Sequence, residues 1–577
     1  MRRAALALLV VGCGGAAQMT LSGVDNDPAA LRQALGSQTA AAPAPSRPMA
    51  YALLADGRIA AHDLEARRAL WTVSAPVRSR IVVAGSFLVA REDDGLTARA
   101  VDDGRKLWTQ PLPTGMTLTG LAADGERVFA LITDGRSEWT LVAYDAAGKL
   151  LWRSPSPGAL GAPAAARGLV YLPFLNQWLA ILDARTGNEL VRLRQEDEAV
   201  SWVRAGADGV TFGSRGVLRL DENAATGRRG PGRYVAARLP GFASLLMHLD
   251  AFHPSAATYS ALDRTRLLWR VTPDMHFADD TVVLVAQRYA FGLDPATGTA
   301  RWGRIARNDV VAAEDTGAAV VVVGLGGEIV GLDKKTGAIT DGGSLGARVL
   351  GVTFAAEGWR PTAKDAEPAE PAVSAMAAIA LDRDTRFGAA KLFAVEQLAV
   401  LPGLESARTL IAIVEDPRAS VDVARAAGDA LVERRDPEAV PLLVEALATR
   451  ADYVTGTSPR AVEALARALG ALGAPEGQTA LVAHLGDPAT PIGAVQEIAR
   501  ALVAMQAKGS VPALTSLLLL HRCDARFSAV AEAVADALAA LGGAAGREVL
   551  AFVAADAKTS PSLAGHVRVL LEGGGGR

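Results

Sequence analysis

The residues of this chain best suited to chemistry fall into a few small groups. MHLDAFHP supplies His248, Asp250 and His253, with His276 further on in MHFADD. Imidazoles and a carboxylate are ligands a divalent metal accepts. His248 and Asp250 alternate along a strand-like stretch, however, and spacing sets no fourth ligand, so a solvated or hydrogen-bonded loop is the expected role. GLGGEIVG, Gly324 to Gly331, mimics a dinucleotide loop. That chemistry requires a helix N-terminus after the glycines to meet a pyrophosphate. Here EIVGLD continues as strand, and a hairpin turn is expected. Cys13 and Cys523, the two cysteines, lie in unrelated contexts, which excludes a disulfide framework and a cysteine-ligated zinc site. Cys523, ending an apolar stretch in LLLLHRCDARF, reads as a buried structural thiol. With no Gly-x-Ser-x-Gly elbow and no Ser-His-Asp set to nominate, no catalytic residue, cofactor or metal is assigned.

One pattern remains that combines an acid, a turn and an aromatic. LDPATGTARW places Asp294 before Gly298 and Trp302, and the pattern recurs. Asp63 precedes Trp71 in HDLEARRALW, Asp102 precedes Trp108 in VDDGRKLW, Asp145 precedes Trp152 in YDAAGKLLW, and Asp263 precedes Trp269 in LDRTRLLW. LDARTGNELV has Asp183 with Val191 at the tryptophan position; LDENAATGRRGP is degenerate; LDKKTGAITD has Asp333 and Gly337, with Asp341 where tryptophan would stand. The anchors step along the chain by 33 to 44 residues, close to the ~40–45 of a four-stranded propeller blade. Within a unit, apolar runs are broken by Asp-Gly or Gly-Gly hairpin signals. The aspartate can accept from N–H groups two residues on, glycine tolerates positive φ, and tryptophan can wedge against a neighbouring blade. The first unit has room for three strands only, whereas a strand at 347–355 has no blade of its own. Residues 347–355 are therefore expected to complete blade one and close the ring, leaving only short protected edges.

These units resemble the quinoprotein-like propeller repeat, whose members include enzymes carrying pyrroloquinoline quinone. The resemblance implies an eight-bladed propeller over residues 48–355. It does not extend to an active site: the vicinal cysteine pair of several quinone-dependent alcohol dehydrogenases is missing, and eight blades in so short a stretch leave little chain to wall one off. Eight near-regular copies mark the motif as architecture.

The chain opens MRRAALALLVVGCGG, a charged start, a short apolar run and small residues, which is the layout of a secretory signal. Eight apolar residues are too few for a spanning helix, which needs ~20. Val10-Val11-Gly12-Cys13 resembles the bacterial lipobox, which implies cleavage after residue 12 and lipidation of Cys13. Gly14 is not aspartate, which by the enterobacterial sorting rule implies the periplasm-facing outer membrane. Residues 13–47, ending in AAAPAPSRP, read as a lipidated tether. Lipobox and propeller together resemble the BamB-type outer-membrane assembly lipoproteins.

Residues 356–373, rich in proline, alanine and charge, read as an interdomain linker. Beyond them, apolar residues take a helical period. Leu398, Leu431, Leu469, Leu502 and Leu538 recur, each followed twelve residues later by another leucine, Leu410, Leu443, Leu481, Leu514 and Leu550. ARAAGDALVERRDPEAVPLLVEAL resembles HEAT repeats of the phycobilisome-lyase-like type, which implies an α-solenoid over 374–572. Residues 573–577 read as a flexible tail.

The fold class expected is thus multidomain, an all-β propeller followed by an all-α solenoid. A net charge of -3 gives no long-range attraction to nucleic acid. The function expected is a non-enzymatic scaffold with protein partners, held to a membrane by a lipid and possessing no cofactor. A quinone-dependent or other cofactor dehydrogenase and an envelope-glycan or peptidoglycan binder are the alternatives.

Overall fold

The computed structural model describes residues 28–39, 47–93, 95–136, 138–156, 158–174, 177–194, 200–206, 209–213, 218–220, 236–238, 274–277, 281–294, 297–361, 367–448 and 461–573. It divides into two compact units, Met1–Glu370 and Pro371–Arg577.

The first unit is built from seven antiparallel sheets among the described residues. Blade 1 orders Val349–Ala355, Met49–Leu54, Arg58–Asp63 and Arg68–Ser74 from inside to outside. Met49 lies opposite Ala355 and Ala52 opposite Val352, so the last strand of the unit pairs with its first. Blades 2, 3, 4 and 5 follow in chain order within 82–111, 117–156, 164–194 and 202–238, and blades 7 and 8 within 274–305 and 310–344. The stretch expected to form blade 6, with Asp263, Trp269, His248, Asp250 and His253, lies outside the described residues, as does Cys13.

Inner strands of consecutive blades touch, in the sequence Phe277-side strand to blade 8, blade 8 to blade 1, and on through blades 2, 3, 4 and 5. The apolar interior is consequently a set of wedges between blades. Tyr51 and Ile59 of blade 1 meet Leu88 and Ala90 of blade 2 in one cluster; Val321 and Val323 of blade 8 meet Ala50 and Ala52 of blade 1 in another. Strand side chains alternate between faces, and the described sheets of consecutive blades pack face to face.

Two expectations about the segments flanking the propeller change. Residues 28–36, expected within a free tether, form a helix, α1 (Pro28–Gly36). Its Leu31, Ala34 and Leu35 share one face and are buried against blades 4 and 5. Residues 356–361 and 367–370, expected within a linker, are held on the propeller. Thr316 Oγ1 donates to Trp359 O at 2.6 Å, and Arg304 Nη2 donates to Glu367 O at 2.5 Å. Ile339 and Glu367 exchange two backbone hydrogen bonds of 2.9 and 3.1 Å. Unpaired backbone groups along an outer edge favour such a strap.

The second unit stacks helix pairs. Gly388–Val400, Val421–Arg434, Val462–Leu472, Ile492–Ala504 and Ser528–Leu541 each pack on the next. Each is followed by a second helix: Leu404–Glu415, Val440–Leu447, Gln478–Leu485, Val511–His521 and Gly543–Ala555. All ten leucines of the sequence repeat are at most 4% exposed. The carbonyls ending one helix are satisfied from the next pair: Arg434 Nη1 donates to Leu398 O at 2.7 Å and to Leu401 O at 2.6 Å, and Nη2 to Gly403 O at 3.1 Å. Cys523 is exposed, against the expectation of a buried thiol; it lies two residues past the end of Val511–His521, where the chain has left the packed face. No described helix is long and apolar enough to cross a membrane.

Candidate functional site

The recurrent motif forms the turn between the third and outermost strands of blades 1, 2, 3, 4, 7 and 8. Asp63 Oδ1 accepts from the N–H groups of Glu65 and Ala66 at 3.0 and 2.8 Å. Asp145 Oδ1 accepts from Ala147 and Lys149 N–H at 3.0 and 2.8 Å. Asp183 Oδ1 accepts from Arg185 N–H, Thr186 N–H and the Thr186 hydroxyl at 2.9, 2.7 and 2.9 Å. Asp333 takes the same three contacts from Lys335 and Thr336, and Asp294 accepts from Thr297 N–H at 3.2 Å and from Arg301 at 2.6 Å. Burial alone would raise the Asp183 and Asp333 carboxyls, but these hydrogen bonds together with nearby cations hold both below the usual carboxylate range.

Asp102 does not take this role. In blade 2 the turn's backbone bonds run from Ala100 N–H to Arg105 O and from Gly104 N–H to Ala100 O, the pattern Asp183 makes with Asn188 and Gly187. Ala100 is thus the equivalent position and Asp102 lies exposed in the turn. The turn's first member precedes its glycine by four residues, or by three from Asp145 to Gly148, whereas Asp102 precedes Gly104 by only two.

Glycine and tryptophan join successive blades. Gly104, Gly148, Gly187 and Gly337 have φ of 73°, 77°, 74° and 66°. A Cβ on the first three would meet Trp71, Trp108 and Trp152 of the preceding blade at 2.8, 2.7 and 2.6 Å, and one on Gly337 would strike Trp302. The indoles also donate across the seam: Trp71 Nε1 to Val101 O at 2.8 Å, Trp108 to Ala146 O at 2.9 Å and Trp152 to Ala184 O at 3.2 Å. Trp302 Nε1 is buried without a partner. Beneath each indole the facing strand has a small residue, Ala61, Ala98, Ala143 or Gly292. Where tryptophan is replaced, that residue is large: Ile181 faces Val191 and Val330 faces Asp341. Gly298 has a φ of 72° and closes the blade 7 turn through its N–H to Asp294 O at 2.7 Å.

The seam from blade 8 to blade 1 uses another chemistry. Arg67 occupies the glycine position with a φ of 51°. Its Nη1 lies 3.1 Å from Asp341 Oδ2 and its Nη2 donates to Asp341 O at 3.0 Å. The two residues depart from the repeat together, and that joint departure is the sequence signal for the pair. The next seam, from blade 1 to blade 2, is fastened on its inner side by Thr353 Oγ1 donating to Ile81 O at 2.6 Å.

The inner strands enclose a cavity of about 300 Å³. Its walls are chiefly alanine and valine, with Arg80, Arg204 and Glu314 as the charged groups and Trp202 and Phe354 as the aromatics. Among these described lining residues, no histidine, cysteine or lysine is present. Among the described residues, no cluster of histidine, cysteine and carboxylate side chains has the arrangement of a metal site. Gly324 to Gly331 forms the hairpin between the strands Val320–Gly324 and Glu328–Leu332, with no helix to follow. Sequence reasoning missed α1, although Pro28 at a helix start, Gly36 at its end and apolar residues at i, i+3 and i+4 were a legible signal.

Residues 8–119 and 92–229 match the family described as outer membrane protein assembly factor BamB. No curated protein matches the chain. Among solved structures, BamB from Moraxella catarrhalis is similar at 14% identity over 46% of this chain and 76% of that one, with a TM-score of 0.29. The Pan2 WD40 domain of Neurospora crassa is similar at 11% identity over 46% and 79%, with a TM-score of 0.32. Dihydro-heme d1 dehydrogenase NirN is similar at 13% identity over 50% and 63%, with a TM-score of 0.33.

Proposed function

We propose that this chain is a non-enzymatic scaffold whose propeller and HEAT-type helical unit recruit protein partners at the periplasmic face of the outer membrane, in outer-membrane protein assembly, with a lipid on Cys13 as its anchor. The observation that carries the reading is the use to which the quinone-like signature is put. Its aspartates are consumed by N–H groups of their own turns, its glycines lie under indoles, and three of its indoles donate to the next blade. A motif so engaged stabilises blades and offers nothing to a cofactor. The family match over the first part of the propeller supports the assembly role, and the lipobox-like Val10–Cys13 supports the anchor.

The test is crosslinking and affinity capture from native membranes, comparing the whole chain with a chain ending at residue 360. Enrichment of outer-membrane assembly components with the whole chain is the expected result. Reconstituted alcohol or sugar oxidation after adding quinone and calcium would overturn the scaffold reading. Release of the protein from membranes must follow Cys13→Ser; unchanged membrane retention would remove the lipid anchor from the proposal.

A further inference from the structure

The seam between blades 4 and 5 lacks the tryptophan, since Val191 stands in its place. The groove left there is filled by α1. The helix packs on the outer strand Glu189–Arg194. Leu31, Ala34 and Leu35, at positions i, i+3 and i+4, are 0%, 2% and 6% exposed. They join Val191, Leu193 and Phe212 in a single apolar cluster that spans both blades. Arg32 and Gln33, on the opposite face, are exposed. The C-terminal end is pinned by Thr39 N–H to Arg167 O at 2.8 Å and by Gln38 Nε2 to Tyr171 Oη at 3.2 Å.

We propose that the outer groove between blades 4 and 5 is a docking site for an amphipathic helix, and that α1 is its resident, reversibly seated occupant. The groove selects by physical fit: apolar side chains one helical turn apart enter the cluster, and a carbonyl and a hydroxyl receive the polar end of the helix. At nine residues, α1 is below the ~12–15 at which an isolated helix holds its form in water, so it folds as it docks. The burial of two leucines and an alanine is opposed by the entropy of ordering the helix. Release of α1 exposes a groove that recognises other helices with the same spacing.

Two measurements test this. In the full chain carrying Leu31→Asp and Leu35→Asp, hydrogen exchange should rise at least tenfold in Leu169–Pro173 and Glu189–Arg194 and stay unchanged in blades 2 and 3. Adding a peptide of residues 28–39 should restore protection, whereas the same peptide with Leu31→Asp should not. Unchanged exchange, a rise spread over every blade, or failure of the native peptide to restore protection overturns the proposal. Independently of any variant, a fluorescent 28–39 peptide in excess should exchange into the unmodified full chain with saturable anisotropy. Absence of binding at millimolar peptide overturns reversible seating.

Discussion

Replacing Gly148 by alanine separates the interblade fastening from ordinary turn chemistry. Gly148 has a φ of 77°, where an L side chain costs about 1–2 kcal/mol. The added Cβ would also lie 2.7 Å from Trp108 Cδ2 and 2.8 Å from Cγ, so the indole has to move. Its 2.9 Å bond from Nε1 to Ala146 O contributes about 0.5–1.5 kcal/mol, and its packing on Phe87 and Tyr144, both with ring centroids 6.2 Å away, is disturbed as well. The sum is about 3 kcal/mol. Gly135 is the control: its φ is 76° and nothing lies within 4 Å of its Cβ position, so Gly135→Ala should cost only about 1–2 kcal/mol. With two compact units, a single unfolding free energy is undefined. The assay is therefore the denaturant midpoint of the propeller transition, with hydrogen exchange of Lys106–Pro111 and Leu150–Ser156 alongside. In a Trp108→Ala background the cost of Gly148→Ala should fall to that of the control. If Gly148→Ala costs no more than Gly135→Ala, or the same with and without Trp108, the reasoning fails.

Arg67→Gly should be neutral or stabilising by up to about 1 kcal/mol, because relief of its left-handed backbone (about 1–2 kcal/mol) exceeds the loss of a solvent-exposed ion pair (about 0–1 kcal/mol); a clear fall in the propeller's melting temperature would assign the pair more weight. Burial lowers the His62 pKa against the opposing pull of Asp63. The neutral imidazole is thus the folded form, and stability is complete above the unfolded value of about 6.5 and declines as pH falls below it. A melting series from pH 7.5 to 5 should slope less in His62→Gln, and equal slopes would exclude the residue. In the helical unit, Arg434→Leu leaves Leu398, Leu401 and Gly403 carbonyls without their donor and should cost about 3 kcal/mol in that unit's transition; calorimetry that shows no shift there would refute the cap.

Legibility followed distance along the chain. The turns of Asp63, Asp145, Asp183, Asp294 and Asp333 are made by residues two to four apart, so aspartate and glycine spacing announces them. The helix pairs were legible for the same reason, since Leu398 and Leu410 are one helix and one turn apart. The blade 2 turn misled because its first member, Ala100, carries no side-chain signal, whereas Asp102 resembles one.

By itself, the sequence determined the repeat, its period and the change from strands to helices. These are local preferences of backbone and side chain, written once per unit. Only the tertiary structure decided how the units are fastened. Trp108 meets Gly148 and Ala146 across some 40 residues, and Arg67 meets Asp341 across 274. It alone also decided that α1 fills the seam of Val191. An indole's partner depends on which blade ring closure brings beside it, and a short apolar helix takes whatever groove the missing indole leaves.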